Sequence, residues 1–138
     1  MTVEIKQVDG GKGAAWTLRG TYSGDDLLQA LETTFSRDLV AEPYYYGLIH
    51  GIEITSIDVS TAALEQAAKR CIAIAQIMPS FVLALCTEHA LAYGLSRIFA
   101  AVVEKSGWTI GVFKERPEAV AWLRSEVAAK FKWPIGLD

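Results

Sequence analysis

The sequence predicts an α/β domain with a central mixed, mostly parallel five-stranded sheet, an N-terminal hairpin and about four helices. Three observations predict it. Two alternating apolar/polar runs joined by glycines open the chain. Helical periodicity then alternates repeatedly with short apolar runs, and capping or helix-breaking residues mark the junctions.

Residues 3–8 and 14–19 read as the hairpin strands: Val3 and Ile5 alternate with polar neighbours, as do Ala14, Trp16 and Leu18. The intervening Asp9-Gly10-Gly11-Lys12-Gly13 tolerates positive φ and closes the hairpin. It lacks the Gly-Lys-Ser/Thr ending and the following helix of a phosphate loop. Ser23 opens the first helix, with Asp25 and Asp26 in its first turn at capping-box spacing. Leu27, Leu28, Leu31 and Phe35 mark its core face, and it should end near Arg37 to Leu39.

Tyr44 to Ile54 is rich in aromatic and β-branched residues and reads as a strand, with Gly47 and Gly51 suggesting a bulge or an early turn. The adjacent Tyr44, Tyr45 and Tyr46 would point to alternating faces, so one of them should lie near solvent or a partner. Asp58 and Ser60 offer caps for a second helix whose stripe is Leu64, Ala67, Ala68, Cys71, Ile72 and Ala75, and Pro79 stops it.

Phe81 to Cys86 is a continuous apolar run, as in a strand covered on both faces. Thr87 is the expected cap of a third helix with Leu91, Leu95, Ile98, Phe99 and Val102 on its core face. Ser106-Gly107 ends it, and Trp108 to Phe113 forms the last strand. Pro117 sits at a first helical position and opens a helix carrying Ala119, Val120, Leu123 and Val127. The residues 128–138 form an apolar tail in which Phe131, Trp133, Ile135 and Leu137 alternate with Lys132, Pro134 and Gly136. Such a tail should pack on its own domain or on a second subunit, giving a homodimer in the latter case.

The 138 residues read as a single domain over 1–138, and the 51% hydrophobic content is enough for a buried core. A net charge of −3 without any basic run argues against a nucleic-acid partner. The apolar stretch from Cys71 to Cys86 falls short of the ~20 residues that span a bilayer, so no integral membrane association is expected. The N-terminus lacks a signal-peptide core, and Cys71 and Cys86 inside apolar segments read as reduced, buried thiols, so a soluble, cytoplasmic protein is expected. Neither cysteine has the short-range His or Cys partners of a metal site, and no cofactor is implied.

Two stretches carry a family likeness. Leu48 to Leu64, LIHGIEITSIDVSTAAL, resembles the strand, turn and helix start of STAS domains, where an Asp followed by two Ser/Thr residues opens the helix. Val82 to Leu123, with LAYGLSRIF and GWTIGVFKERPEAVAWL, is similar to bacterial STAS-like proteins compared with anti-sigma-factor antagonists and with lipid-binding CRAL-TRIO domains. The resemblance implies a STAS-like domain that binds a protein partner or a small amphipathic or anionic ligand rather than a catalyst. In the antagonists the first hydroxyl after the Asp is phosphorylated; that position here is Val59, followed by Ser60 and Thr61.

His89, Tyr93 and Arg97 recur every four residues and would line one stripe of the third helix, able to grip an anionic or amphipathic ligand or a partner. Asp58 and Ser60 stand at a helix start where backbone donors favour anions, although capping is their simpler role. Gly94 inside the third helix implies a close approach by a neighbouring element. The rival readings are a phospho-regulated antagonist working through Ser60 or Thr61, and a small hydrolase using His50 or His89 as base. No nucleophile elbow is present, and no catalytic residue is assigned.

Overall fold

A computed structural model describes residues 3–138. The strands are β1 (Val3–Val8), β2 (Gly13–Ser23), β3 (Tyr46–Asp58), β4 (Val82–Thr87) and β5 (Thr109–Phe113); the helices are α1 (Gly24–Thr34), α2 (Thr61–Ile77), α3 (Ala90–Val103) and α4 (Arg116–Phe131). They form one sheet in the order β1-β2-β3-β4-β5, with β1 antiparallel to β2 and every other pair parallel. The mixed, mostly parallel α/β architecture expected from the sequence is therefore observed.

Because the strands follow one another across the sheet, each β–α–β crossover steps in the same direction. Right-handed connections then place α1, α2 and α3 on one face. Their buried residues Leu31, Ala67, Cys71 and Phe99 join Trp16, Leu83, Leu85 and Trp108 in one core cluster. The last helix has no strand to return to and covers the opposite face, where Val120, Leu123 and Val127 pack on Tyr46, Leu48, Val82 and Ala84. All six residues of β4 are buried, which explains why its run is apolar without alternation.

Local chemistry sets the helix starts. Asp26 N–H donates to Ser23 Oγ at 3.2 Å and Ser23 N–H to Asp26 Oδ2 at 2.9 Å, completing the expected capping box. Ala63 N–H donates to Ser60 Oγ at 3.1 Å, so Ser60 is the N-cap of α2. The first helix stops at Thr34, earlier than its apolar pattern suggested. The Asp38 carboxylate instead accepts from Val40 and Ala41 N–H, each at 3.1 Å, and holds a turn.

Two expectations are corrected. Gly47 and Gly51 lie in unbroken pairing with β4; a side chain at Gly47 would strike the Phe81 ring 2.8 Å away, so that glycine makes room for packing. The irregularity falls instead at Gly20 and Glu53, which have φ of 68° and 52°, where the β2–β3 register shifts. Beyond it, β2 and β3 run on past the end of β4 as a two-stranded ribbon to Ser23 and Asp58. The tyrosine run leaves one ring partly exposed, as expected: Tyr44 and Tyr46 are buried, while Tyr45 is half-buried and stacks on Phe131 with centroids 4.2 Å apart.

The second correction concerns α3. Its buried residues are Ala92, Phe99, Ala100 and Val103, while Leu91, Ile98 and Val102 of the expected core face are 54%, 57% and 40% exposed. This helix is apolar nearly all round, so periodicity does not fix its orientation.

The tail packs on its own domain. Ile135 is buried, Trp133 meets the Tyr45 ring edge-on at 5.8 Å, and Gly136 N–H donates to Asp9 Oδ1 at 2.9 Å. Arg116 and Arg124 donate to the carbonyls of Asp138 and Leu137, each at 3.0 Å. The apolar side chains that called for a second subunit are thus taken up within the chain.

Candidate functional site

In a parallel sheet the carboxyl ends of the strands open onto loops and helix starts, the usual place for α/β binding sites. Here β3, β4 and the segment after β5 converge on an open cleft of about 680 Å³ lined by His50, Glu53, Thr87, Glu88, His89, Lys114, Glu115 and Arg116, among others. Thr87 Oγ1 accepts from His89 N–H at 3.2 Å, and His89 Nδ1 accepts from Ala92 N–H at 3.3 Å. The N-cap of α3 is therefore His89 rather than Thr87, which stands one step behind as a brace. An accepting Nδ1 leaves the ring proton on Nε2.

His50 projects from β3 with Nδ1 3.3 Å from Arg116 Nη1. Burial, then the Arg116 and Arg19 charges, hold its pKa below the ordinary 6.5, with Glu88 opposing. Its register neighbour on β4 is Cys86. Burial pushes that thiol up to about 11 despite Arg116, the opposite of an activated nucleophile. Cys71 is pushed up to about 12 for the same reason.

Behind the cleft, between the sheet and α1–α3, lies an apolar cavity of about 80 Å³. Trp16 and Leu18 form its floor, Leu31, Cys71 and Phe99 come from the three helices, and Leu95 and Ser96 border it from α3. The two-stranded ribbon supplies Tyr22 and Ile54, so the bulge at Gly20 and Glu53 is what brings a wall across this end. Burial raises the Tyr22 phenol above its ordinary value, so it stays neutral. Apolar cavities of this kind stay dry and take apolar guests; about 80 Å³ is roughly half the ~150 Å³ that admits benzene. Cavity and cleft share Gly51, Ile54 and Thr87 in their walls.

Of the residues singled out by sequence, His89 lies in the cleft, held by its capping bond. Tyr93 and Arg97 are not among the cleft's lining residues: Tyr93 is half-buried with Lys114 Nζ 5.2 Å from its ring centroid, and Arg97 is exposed. Asp58 ends β3 and Ser60 caps α2, both exposed, while Val59 between them turns into the cavity. Sequence reasoning missed Glu88, Lys114, Glu115 and Arg116, although it sets Glu53 beside His50. The available signal was the polar residues directly after each apolar strand, Thr87-Glu88-His89 and Lys114-Glu115-Arg116. Among the described residues no group of three or more His, Cys, Asp or Glu side chains is placed to hold a metal ion, and no helix is long and apolar enough to cross a membrane.

No protein-family model matches the chain, and a search of curated proteins finds no match. Among solved structures, the chain is similar to an uncharacterised protein of the DUF3478 family with a SpoIIAA-like fold from Shewanella loihica PV-4. The two share 16% identity with a TM-score of 0.49, over 88% of this chain and 91% of that one.

Proposed function

We propose that this chain is a non-catalytic, cytoplasmic binding module for a small amphipathic ligand. The ligand's apolar part enters the cavity under α3, and its polar head rests in the cleft beside His50, His89 and Arg116. The observation that carries the reading is the shared wall: Gly51, Ile54 and Thr87 border both an apolar space and a polar one. A few precisely placed polar groups beside an apolar pocket are the ordinary makeup of a small-molecule site. The small volume favours a short hydrocarbon segment. Val59, facing the cavity, offers no hydroxyl for a phospho-switch, and the raised Cys86 thiol gives His50 no nucleophile to activate.

Native mass spectrometry of freshly purified protein should show a bound small molecule that is lost on denaturation. Propanol and propanoate should both change the fluorescence of Trp16 and Trp108, which line the cavity. Leu95→Trp should abolish both responses by filling the space, whereas Arg116→Gln should weaken propanoate binding selectively. No adduct together with no response to either probe overturns the reading.

A further inference from the structure

The outer face of α3 points to an antiparallel pairing with the α3 of a second copy of this chain; we infer a two-fold dimer built on that helix. Leu91, Leu95, Ile98 and Val102 are spaced four, three and four residues apart, the alternation of a two-stranded helical seam. Three of them are well exposed although the helix's other side is already committed to the core. One step further along the same spacing stand Glu88 before the helix and Lys105 after it, both exposed.

This order is complementary to itself only when reversed. An antiparallel copy sets Leu91 opposite the partner's Val102, Leu95 opposite the partner's Ile98, and Glu88 opposite the partner's Lys105, with every contact repeated by the two-fold axis. A parallel copy would instead oppose Glu88 to its own kind and Lys105 likewise, which is repulsive.

Gly94 supplies an independent observation. It sits mid-helix, where glycine is less favourable than alanine, yet nothing lies within 4 Å of the place its Cβ would take. No neighbour in the chain requires it, so the close approach expected of this residue is left for a partner. Exposed Ala101, two turns on, keeps the same strip low. Ile77, 54% exposed, ends α2, which packs beside the turn containing Lys105, and extends the apolar area. A second copy is favoured over a membrane surface because the seam ends in charges of opposite sign and the chain is acidic overall, at −3.

Sedimentation velocity over a concentration series should give twice the 15.1 kDa chain mass at the upper end. Ile98→Glu should yield a monomer with an unchanged circular dichroism spectrum. Gly94→Leu, whose Cβ has no neighbour within 4 Å in its own chain, should weaken association at least about tenfold, the loss expected when close helix packing is blocked. Glu88→Lys and Lys105→Glu should each weaken the dimer by about tenfold, and the double variant should restore it. A monomer up to the solubility limit overturns the inference, as does a dimer indifferent to both Ile98→Glu and Gly94→Leu. Monomers that bind vesicles only through this face would replace it with a membrane role. The Gly94, Ile98 and Lys105 variants lie outside both the cavity and the cleft, so their readouts are independent of ligand binding.

Discussion

The two faces of the sheet are built from the same strands and end in different states. Toward α4 and the tail, Tyr46, Leu48, Val82 and Ala84 meet Leu123, Val127 and Ile135 in a closed, buried layer, with Tyr46, Leu123 and Val127 fully buried. Toward α1–α3, Phe35, Tyr44, Phe81 and Trp108 pack ring against ring, and a cavity remains. One long helix and a tail can settle on a sheet to fill it. Three helices fixed by crossovers have less freedom to close every gap, and rigid rings add to the mismatch. The closed face is support; the incompletely filled face is the one that the proposed ligand would enter.

Leu123 is fully buried on the closed face, so Leu123→Ala should cost about 2–5 kcal/mol in urea unfolding. Leu95→Ala, beside existing space and half-buried, should cost less than about 2 kcal/mol by the same scale. Equal losses would break the contrast between the faces.

A smaller effect sharpens it. Thr34 Oγ1 accepts the Trp16 indole N–H at 2.7 Å, one of few polar contacts buried on the cavity side. Thr34→Val keeps the shape but strands that donor, and should cost about 1–3 kcal/mol while shifting Trp16 fluorescence. No loss would mean that the cavity admits water to the indole.

The smallest effect lies at the cleft, where the two faces meet the strand ends. His50 titrates below its ordinary 6.5 in the folded chain, so the unfolded chain binds that proton first. Above about pH 6.5 His50 therefore adds no pH dependence. As pH falls below that value its contribution to stability declines, and the decline levels off once folded His50 is also protonated. His50→Gln should flatten this part of the stability profile measured by thermal unfolding; an unchanged slope would place its origin elsewhere.

Much of the architecture is legible in the sequence because its signals are local. The alternation of Val3, Ile5, Ala14, Trp16 and Leu18 marks the hairpin, and the Ser23–Asp26 pair marks a helix start. The stripes of α1, α2 and α4 each have a polar side that fixes their orientation. The site was less legible. His89 was found, but as a member of a helical row that the folded chain does not assemble into the cleft, and its partners there come from other strand ends. A bulge in β3 was legible from its glycines, but its place at Gly20 and Glu53 was not, because it is set by the β2–β3 register.

By itself the sequence determined the elements, their order and hence the sheet, because hydrophobic period, caps and breakers act over a few residues and right-handed crossovers do the rest. Tertiary structure alone decided which side of α3 faces inward, since an all-round apolar helix carries no local instruction. It also decided that a cavity exists, because an unfilled volume is the difference between backbone spacing and side-chain bulk across five elements, and no single stretch of chain encodes that difference.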